Sequence, residues 1–417
     1  MRIRPTFQTF RNTALAIIIA AAVLGATPSA CARPEYVYLT YPGDPSTSIT
    51  IGYQTKDLSE TSKVYYDTQS RGGEVEAYAH EASGVQVRIP GLPATRTIHH
   101  VTLTGLDPGT TYYFVAGDED GGFTGERSFR TIADDDAPLR FVTGGDMGAT
   151  RQTRRLLRVA AEQDPDFAVV GGDIAYANGE LKEYRDWDHW FKNWDELMRT
   201  SDGRMIPVVA AIGNHEVNDS DSADWTVRAP FYSAYFETQP GDTYFDLACG
   251  ANMALLVLDT GHIAPHDGDQ ATWLDSALAA HAEIPFVFAV YHVPFYPSHR
   301  DYDSSGSEAG RTHWAPRFDT HGLTAAFENH DHTMKRSKPI RDNQVDEDGV
   351  LYLGDGSWGV VPRDVDKERR WYEAVALGVG HVWVVDVSSE QTRYRALDRD
   401  GMLLDETTSA PRLAAAD

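Results

Sequence analysis

Residues 167–176 of the 417-residue chain read FAVVGGDIAY. An apolar run of strand length passes directly into two glycines, and Asp173 follows where the strand must end. Short continuous apolar runs are typical of strands buried on both faces, as in parallel sheets covered by helices. The glycines permit a sharp turn, so that a polar side chain can project over the end of the sheet. The stretch therefore predicts an α/β domain whose polar residues gather where the strands end.

The same pattern recurs in four further segments of the chain. They are LRFVTGGDMG at 139–148, IPVVAAIGNHE at 206–216, PFVFAVYH at 285–292 and LTAAFENHDH at 323–332. Helical patterns at 150–163 and 270–282 alternate with these runs, as in an α/β domain. One polar residue after a strand is usually a turn or helix-cap residue. Five in series, all of metal-ligand types, indicate a common site at the carboxyl edge, where open α/β sheets bind ligands.

The later segments complete the predicted α/β domain, which we place at 138–400. Residues 350–359 predict a further strand and turn, in which Asp355 forms a wall of the site at most. Residues 381–387 and 392–396 predict closing strands of a second sheet. The chain from 401 to 417 is expected to be a C-terminal tail.

The preceding part of the chain, residues 35–132, predicts an all-β sandwich. Alternating segments separated by Pro, Gly and Asp turns occur at 48–54, 62–67, 98–103 and 111–116. The sequence LDPGTTY, ending at Tyr112, resembles the fibronectin type III pattern in which a tyrosine anchors a corner by hydrogen-bonding back to the chain. His99 and His100 lie on opposite faces of one strand, so we expect structural roles for them. The segment ADDDAP at 133–138 predicts the linker between the two domains.

The first 32 residues predict a signal peptide. Three arginines precede the apolar run ALAIIIAAAVL at 14–24, whose 11 residues are too few for a bilayer, which takes about 20. Ala30-Cys31-Ala32 fits a cleavage site, after which an exported protein, periplasmic or secreted, would begin at Arg33. The alternative is that the segment is retained as an N-terminal anchor. Cleavage would remove Cys31 and leave Cys249 as the remaining cysteine, for which we expect a buried thiol.

Charge limits the partners of the chain. Acidic residues number 62 and basic residues 37, for a formal charge of −25. A sequence-independent nucleic-acid binder needs a basic surface, so nucleic acid is excluded as a structural partner. No later apolar run is long enough to span a membrane, and the sequence indicates no oligomeric state. A phosphate-bearing substrate would need local positive charge, which bound metal ions can supply.

The series of motifs resembles the calcineurin-like metallophosphoesterases, and specifically the purple acid phosphatases. It comprises G-D-x-G, G-D-x-x-Y, G-N-H-E, a histidine at a strand end and a final H-x-H. Most metallophosphoesterases have D-x-H in the first motif, whereas this chain has Gly148 at the histidine position. Tyr176 stands where purple acid phosphatases supply a tyrosinate. Because a lost ligand is matched by a gained one, the narrower family is favoured. The resemblance extends over the mature chain and implies a fibronectin-like domain followed by a two-sheet metallophosphoesterase domain.

The resemblance implies two coordination spheres. Asp146, Tyr176 and His332 would hold the first metal ion, and Asp173 would bridge to the second. The second ion would be completed by Asn214, His292 and His330. Carboxylate and phenolate oxygens suit Fe(III), while an amide oxygen and two imidazoles suit divalent Fe, Zn or Mn. The chain departs from the family at Asn329, where the pattern has glycine; because Asn tolerates left-handed conformations, we expect the turn to be preserved.

The implied activity is hydrolysis of phosphate monoesters. Two metal ions can clamp a phosphate ester and activate water as the hydroxide that attacks phosphorus. His215 and His299 are the implied catalytic residues, and His215 would contact the phosphoryl group or protonate the leaving group. Glu216 either orients His215 or is a surface residue. Two alternatives stay open: a phosphodiesterase acting on nucleotides or lipid head groups, and an exported binding module whose metal site is only structural.

Overall fold

The computed structural model describes residues 33–56, 61–93, 96–236 and 243–412. The predicted signal peptide lies outside these residues. Among them, no helix is long and apolar enough to cross a membrane. The predicted fold class is confirmed: an all-β sandwich is followed by an α/β domain with two sheets. Cys249 is a buried free thiol, as expected.

The sandwich consists of antiparallel strands in two sheets. The strands are β1 Glu35–Thr40, β2 Ser48–Thr55, β3 Lys63–Asp67, β4 His80–Ser83, β5 Val85–Val87, β6 Thr97–Thr104, β7 Thr111–Asp118, β8 Gly122–Phe123 and β9 Arg127–Arg130. One sheet has the order β1-β2-β6-β5, and the other has β4-β3-β7-β8 with β9 also paired to β7. Apolar side chains of both sheets, such as Ile51 and Phe114, meet in one core. As predicted, the Tyr112 hydroxyl closes a corner, because it accepts a hydrogen bond of 2.9 Å from the backbone N–H of Asp107.

The α/β domain contributes fifteen strands and seven helices within the described residues. The strands are β10 Leu139–Gly144, β11 Phe167–Gly171, β12 Val208–Ala211, β13 Phe245–Cys249, β14 Met253–Val257, β15 Phe286–Val290, β16 Ala325–Phe327, β17 Met334–Ser337, β18 Ile340–Arg341, β19 Gln344–Val345, β20 Leu351–Gly354, β21 Glu373–Leu377, β22 His381–Val387, β23 Thr392–Asp398 and β24 Leu403–Ser409. The helices are α1 Arg151–Ala161, α2 Tyr184–Leu197, α3 Trp225–Arg228, α4 Pro230–Tyr235, α5 Gly268–Ala280, α6 Ser305–His313 and α7 Ala315–His321. The predicted helices at 150–163 and 270–282 correspond to α1 and α5, and Thr150 caps α1 by accepting from the backbone N–H of Thr153.

Two mixed sheets form the centre of the α/β domain. One has the order β12-β11-β10-β22-β23-β24, and the other has β13-β14-β15-β16-β20-β17-β21. The strands β22 and β23 therefore extend the sheet of β10 and do not belong to a separate sheet, because β22 pairs antiparallel with β10. The predicted tail also requires correction, since residues 403–409 form β24 at the edge of this sheet.

The two sheets pack face to face, with helices on their outer faces. Phe141 of β10 lies between the sheets, with ring centroids 5.8 Å from Phe288 and 5.7 Å from Phe327 of the second sheet. On the outer face of the first sheet, β10 and β11 pack against α1 and α2. On the outer face of the second, β14 and β15 pack against α5 and α7. This layering buries the strands on both faces, as their continuous apolar sequences predicted.

The sandwich packs against helix α2. Tyr38 of β1 is buried against Phe191 of this helix, with ring centroids 4.6 Å apart. Arg127 of β9 forms an ion pair with Asp195, one turn further along the same helix. Residues 33–412 therefore form one compact unit, although the sequence between 133 and 138 reads as a linker.

Candidate metal centre

The polar residues that follow the strands converge on one place in the structure. Asp146, Asp173 and Asn214 follow β10, β11 and β12, which are neighbouring parallel strands of the first sheet. His292 follows β15 and the His330-x-His332 segment follows β16, which are neighbours in the second sheet. Because the sheets pack face to face, the carboxyl ends of both lie together. The site is therefore built by two sheets.

Three of the residues implied for the first metal ion form a triangle of polar atoms. The Tyr176 hydroxyl lies 3.1 Å from Oδ1 of Asp146 and 3.2 Å from Nε2 of His332. Nε2 of His332 is 2.9 Å from the same carboxylate oxygen. Gly148 lies beside the tyrosine with a positive φ of 56°, and a Cβ atom there would make an ordinary contact of 3.7 Å with the ring. The structure thus brings Asp146, Tyr176 and His332 together.

The residues implied for the second ion converge on one ring nitrogen of His292. Its Nε2 atom lies 3.2 Å from Oδ2 of Asp173, 3.1 Å from Oδ1 of Asn214 and 3.0 Å from Nδ1 of His330. The other ring nitrogen, Nδ1, lies 2.9 Å from the Gly171 carbonyl and can only donate to it. In the neutral ring Nε2 then carries a lone pair, so acceptor atoms of several side chains face one another. Such convergence of lone pairs is what a cation requires of its ligands.

Asp173, His292 and His330 lie close enough together to bind one metal ion. One ligand atom from each lies within 4.8 Å of the others. The donor set combines hard carboxylate and phenol oxygens with an amide oxygen and imidazole nitrogens, which suits iron, zinc or manganese. The residues present therefore fit a metal centre.

The backbone at the site is held in a rarely populated conformation. Six residues other than glycine have positive φ angles here, namely Asp146 at 57°, Asp173 at 52°, Tyr176 at 63°, Asn178 at 53°, His330 at 75° and His332 at 60°. Residues with side chains disfavour this region, and such strain concentrates at functional sites. Five of the six are residues that the sequence singled out as ligands.

The two buried carboxylates of the site favour positive charge on His292, whereas burial and the charge of His292 lower the pKa of His330. Burial alone would lower the pKa of His292, but the carboxylates of Asp173 and Asp146 outweigh it and raise this pKa to about 9. Burial opposes ionisation of Asp173, yet the neighbouring His292 and His215 hold its pKa well below the usual range. Burial, reinforced by Asp146 and Asp173, raises the pKa of the Tyr176 hydroxyl. A cation that displaces the phenolic proton would reverse this last effect.

His215 lies beside the proposed ligands. Its ring packs at a tilt against Tyr176, with centroids 4.2 Å apart, and its Nε2 is 3.7 Å from Oδ2 of Asp173. Nδ1 contacts the side-chain oxygen of Asn178, which fixes the orientation of the ring. The backbone N–H of His215 donates to Oδ1 of Asp173 at 2.8 Å. The structure therefore places His215 beside the proposed ligands, with Asn178 orienting its ring, and its catalytic role stays a prediction.

His299 has a different environment. Its Nδ1 lies 2.8 Å from the backbone carbonyl of Asp364, and its backbone N–H donates to Asp331 at 2.7 Å. Within the described residues, its ring makes no hydrogen bond to a proposed ligand. A catalytic role for His299 stays a prediction.

Neither expectation for Glu216 was right. The residue is 1% exposed, so it is not a surface glutamate. Its carboxylate accepts hydrogen bonds of 2.8 Å from the backbone N–H groups of Asp173, Ile174 and Gly213, and none from the His215 ring. Glu216 therefore ties the turn after β11 to the turn after β12, which positions Asp173 and Asn214.

The reason given for Asn329 was also wrong. Its own φ is not positive; the positive φ belongs to the next residue, His330. Asn329 is buried, and its amide donates to the Tyr291 carbonyl at 2.9 Å. Cβ atoms at Gly145 and Gly171 would lie 2.5 and 1.8 Å from atoms of this side chain. Glycines in the two neighbouring turns therefore make the room that the asparagine occupies.

Sequence reasoning missed a buried ionic cluster behind the H-x-H segment. Lys335 is fully buried between the carboxylates of Glu328 and Asp355, with Nζ 2.9 Å from Asp355. Asp331 is also fully buried and accepts backbone N–H groups from Ser298 at 2.8 Å and from the next two residues. Asp355 therefore pairs with Lys335 behind the site. It was not included among the metal ligands in the sequence analysis.

Two family descriptions match consecutive parts of the chain. "Purple acid Phosphatase, N-terminal domain" matches residues 34–131, and "Calcineurin-like phosphoesterase" matches residues 139–334. Purple acid phosphatase 21 of Arabidopsis thaliana is 27% identical over 338 residues, covering 78% of this chain and 71% of that protein. Purple acid phosphatase 13 of the same plant is 25% identical over 305 residues, which are 63% of this chain and 54% of the relative. The match thus spans about half the length of that relative.

A solved structure shares the fold. The structure of a purple acid phosphatase from yellow lupin (Lupinus luteus) seeds superposes with a TM-score of 0.76 at 15% identity, covering 91% of this chain and 74% of that one. The fold and site define a two-sheet phosphoesterase preceded by a β-sandwich. The chain belongs to the calcineurin-like phosphoesterase family, as a purple acid phosphatase-like member.

Proposed function

We propose that the protein hydrolyses phosphate monoesters at a dinuclear metal centre. The observation that carries the proposal is the convergence of acceptor atoms on Nε2 of His292, next to the triangle formed by Asp146, Tyr176 and His332. We assign Asp173 as the residue shared by the two ions. The carboxylate is buried and faces two histidines, so it is shielded from water and held in one orientation.

Two bound metal ions would neutralise phosphate oxygens and lower the pKa of water so that it can attack phosphorus. The side chains of the protein hold the metal ligands in position and can donate a proton to the leaving group. Glu216 and the backbone contacts of Asp173 hold the ligands in place before substrate arrives. His215, oriented by Asn178, is the residue that can contact the phosphoryl group or give a proton to the departing alkoxide from Nε2.

We infer Fe(III) at Asp146, Tyr176 and His332, and a divalent Fe, Zn or Mn ion at Asn214, His292 and His330. A phenolate bound to Fe(III) gives a visible charge-transfer band. Tyr176→Phe should abolish this band at matched iron content, while part of the phosphatase activity remains because Asp146 and His332 still bind the ion. A band that persists in the variant would show that Tyr176 is not a ligand.

A panel of substrates tests the reaction. The metal-loaded protein should hydrolyse p-nitrophenyl phosphate with a higher kcat/KM than bis(p-nitrophenyl) phosphate. Asp173→Asn should lower the monoester kcat/KM by about 100-fold or more, since even residues that only support metal ligands contribute 10- to 100-fold. The same substitution at the exposed Asp219 is the control and should leave activity unchanged. A diester preference would favour the phosphodiesterase alternative, and absence of any hydrolysis would favour the binding module.

We further propose that the protein is exported and begins at Arg33. The support is the apolar run at 14–24 and the Ala-Cys-Ala site before Arg33. Mass spectrometry of the protein recovered from its source cells should show a chain that starts at Arg33. An intact chain from Met1 would contradict this.

A further inference from the structure

The segment that follows β20 connects the two sheets beside the candidate metal centre. Strand β20 belongs to the second sheet, and residues 356–360 continue as GSWGV to the turn after β10 of the first sheet. There the backbone N–H groups of Gly359 and Val360 donate to the Asp146 carbonyl at 3.0 and 3.1 Å. A connection between the sheets therefore holds the backbone of Asp146, a proposed ligand of the first metal ion.

The two carboxylate oxygens of Asp146 have different partners. Oδ1 lies 3.1 Å from the Tyr176 hydroxyl and 2.9 Å from Nε2 of His332, which are the other proposed ligands of the first ion. Oδ2 accepts a hydrogen bond of 2.8 Å from the backbone N–H of His330, a proposed ligand of the second ion. Asp146 therefore has Oδ1 among the ligands of the first ion, while Oδ2 holds the turn that carries His330.

Gly356 lies against the hydrogen bond between Asp146 and His330. A Cβ atom at position 356 would lie 1.8 Å from Oδ2 of Asp146 and 2.8 Å from the backbone nitrogen of His330, and real Cβ atoms do not approach other atoms this closely. The φ angle of Gly356 is 60°, which also favours glycine. Asp146 is fully buried, so its carboxylate has no solvent to turn towards. A side chain at position 356 would therefore displace this carboxylate from its contacts.

The segment around Gly356 is itself fixed to the surrounding structure. The next residue, Ser357, is fully buried, and its hydroxyl donates to the Val379 carbonyl at 2.8 Å. From helix α1, Nε2 of Gln152 donates to the carbonyls of Ser357 and Val360 at 3.2 and 2.8 Å. Close packing transmits a change of volume to the neighbouring atoms. Because the segment is tied down on both sides of Gly356, it cannot withdraw from the carboxylate to make room for a larger residue.

We propose that Gly356 is a positioning residue of the metal centre, because it leaves the space that the Asp146 carboxylate needs to keep both sets of contacts. Oδ1 then stays with the other ligands of the first ion, and Oδ2 stays on the backbone of His330. The same carboxylate thereby joins the ligands of the two ions. The inference rests on the proposed dinuclear centre, and it adds a residue without a side chain to those on which metal binding depends.

Metal retention in Gly356→Ala tests the proposal. In protein loaded with iron and zinc, the added methyl group should lower the affinity for iron by about 10- to 100-fold, the range expected when the support of a metal ligand is lost. The affinity for zinc should fall less, because the methyl group meets His330 at its backbone and not at its ring. Competition with a chelator, followed by metal analysis, measures the two losses separately.

Gly401→Ala is the matched control. Its φ is also positive, at 77°, and a Cβ atom there would have no atom of the described residues within 4 Å apart from its chain neighbours. This variant therefore introduces the same kind of backbone strain without a clash, and it should retain both metals. Equal losses of iron and zinc in Gly356→Ala, or no loss of iron, would overturn the proposal.

A double-mutant cycle on the metal-free protein separates this proposal from the proposed function. Because the added methyl group meets the Asp146 carboxylate, Gly356→Ala should destabilise the wild-type protein more than it destabilises the Asp146→Ala variant. Guanidinium unfolding measures both changes and requires neither metal nor turnover. If Gly356→Ala alone does not fold, the double variant should fold. Equal destabilisation in the two backgrounds, or a double variant that also fails to fold, would show that Asp146 is not the reason for glycine at position 356 and would overturn the proposal.

Discussion

Two buried histidines, one in each domain, have opposite electrostatic environments. His99 in the sandwich stacks on Tyr53 with centroids 4.5 Å apart, and its ring nitrogens contact the hydroxyls of Thr55 and Ser62 at 2.9 Å each. Burial lowers its pKa to about 4. His292 at the strand ends is as fully buried, but Asp173 and Asp146 raise its pKa to about 9. Burial alone therefore does not distinguish a structural histidine from a candidate ligand.

The groups around each histidine explain why the two pKa values differ. In the sandwich, hydroxyl groups satisfy both ring nitrogens and leave no net charge. At the strand ends, the carboxylates of Asp173 and Asp146 act on His292, and the backbone adopts left-handed conformations at residues such as Asp146 and His330. The surroundings of His99 therefore favour a neutral ring, whereas those of His292 favour a positive charge.

The largest expected effect concerns the ionic cluster that supports the strand ends. Lys335→Met would leave Glu328 and Asp355 buried without their cation, and breaking a buried pair in this way costs about 3–5 kcal/mol. Guanidinium unfolding should show this loss. Lys192→Met, at an exposed helix position, should change the free energy of unfolding by no more than about 0.5 kcal/mol. Equal stability of the two variants would mean that apolar packing alone holds the site.

An intermediate effect is expected at Glu216. Glutamine at this position offers one acceptor oxygen and an NH2 group where three backbone N–H groups now point at a carboxylate. The turns that carry Asp173 and Asn214 should shift, lowering metal affinity by about 10- to 100-fold. Competition with a chelator measures the change. Glu368→Gln, on the exposed surface, is the control, and identical metal affinity in the two variants would refute the positioning role.

The smallest expected effect lies in the sandwich and depends on pH. The neutral form of His99 is favoured in the folded protein, because its pKa is about 4 when folded against 6.5 for the free side chain. Its contribution to stability is therefore complete above pH 6.5 and is lost as the pH falls towards 4. Between pH 7 and 5 the loss should be on the order of 1 kcal/mol. In His99→Gln the free energy of unfolding should fall less between pH 7 and pH 5 than in the wild-type protein. An equal fall would show that His99 is not the group responsible.

The sequence was sufficient for the five apolar strands that lead into the site and for the polar residues at their ends. A short apolar run such as 286–290 is typical of a buried strand, and a polar residue directly after it lies at the sheet edge. The convergence of His292 with Asp173 and Asn214 then depends only on the sheets packing together.

The sequence was insufficient where a role depends on contacts between distant segments. Glu216 binds backbone groups of Asp173 and Ile174, more than forty positions earlier in the chain, and no local pattern indicates this. The space for Asn329 comes from glycines in two other turns. Strand β24 also escaped prediction, because its polar, half-exposed sequence resembles a tail until its pairing with β23 is seen.

Metal content tests the central claim most directly. The wild-type protein, loaded with iron and a divalent metal and then dialysed, should retain two ions per chain by mass spectrometry. Asp173→Asn should retain one ion or none, while the control Asp219→Asn should retain two. Two ions in Asp173→Asn, or fewer than two in the wild-type protein, would contradict a dinuclear centre built around Asp173.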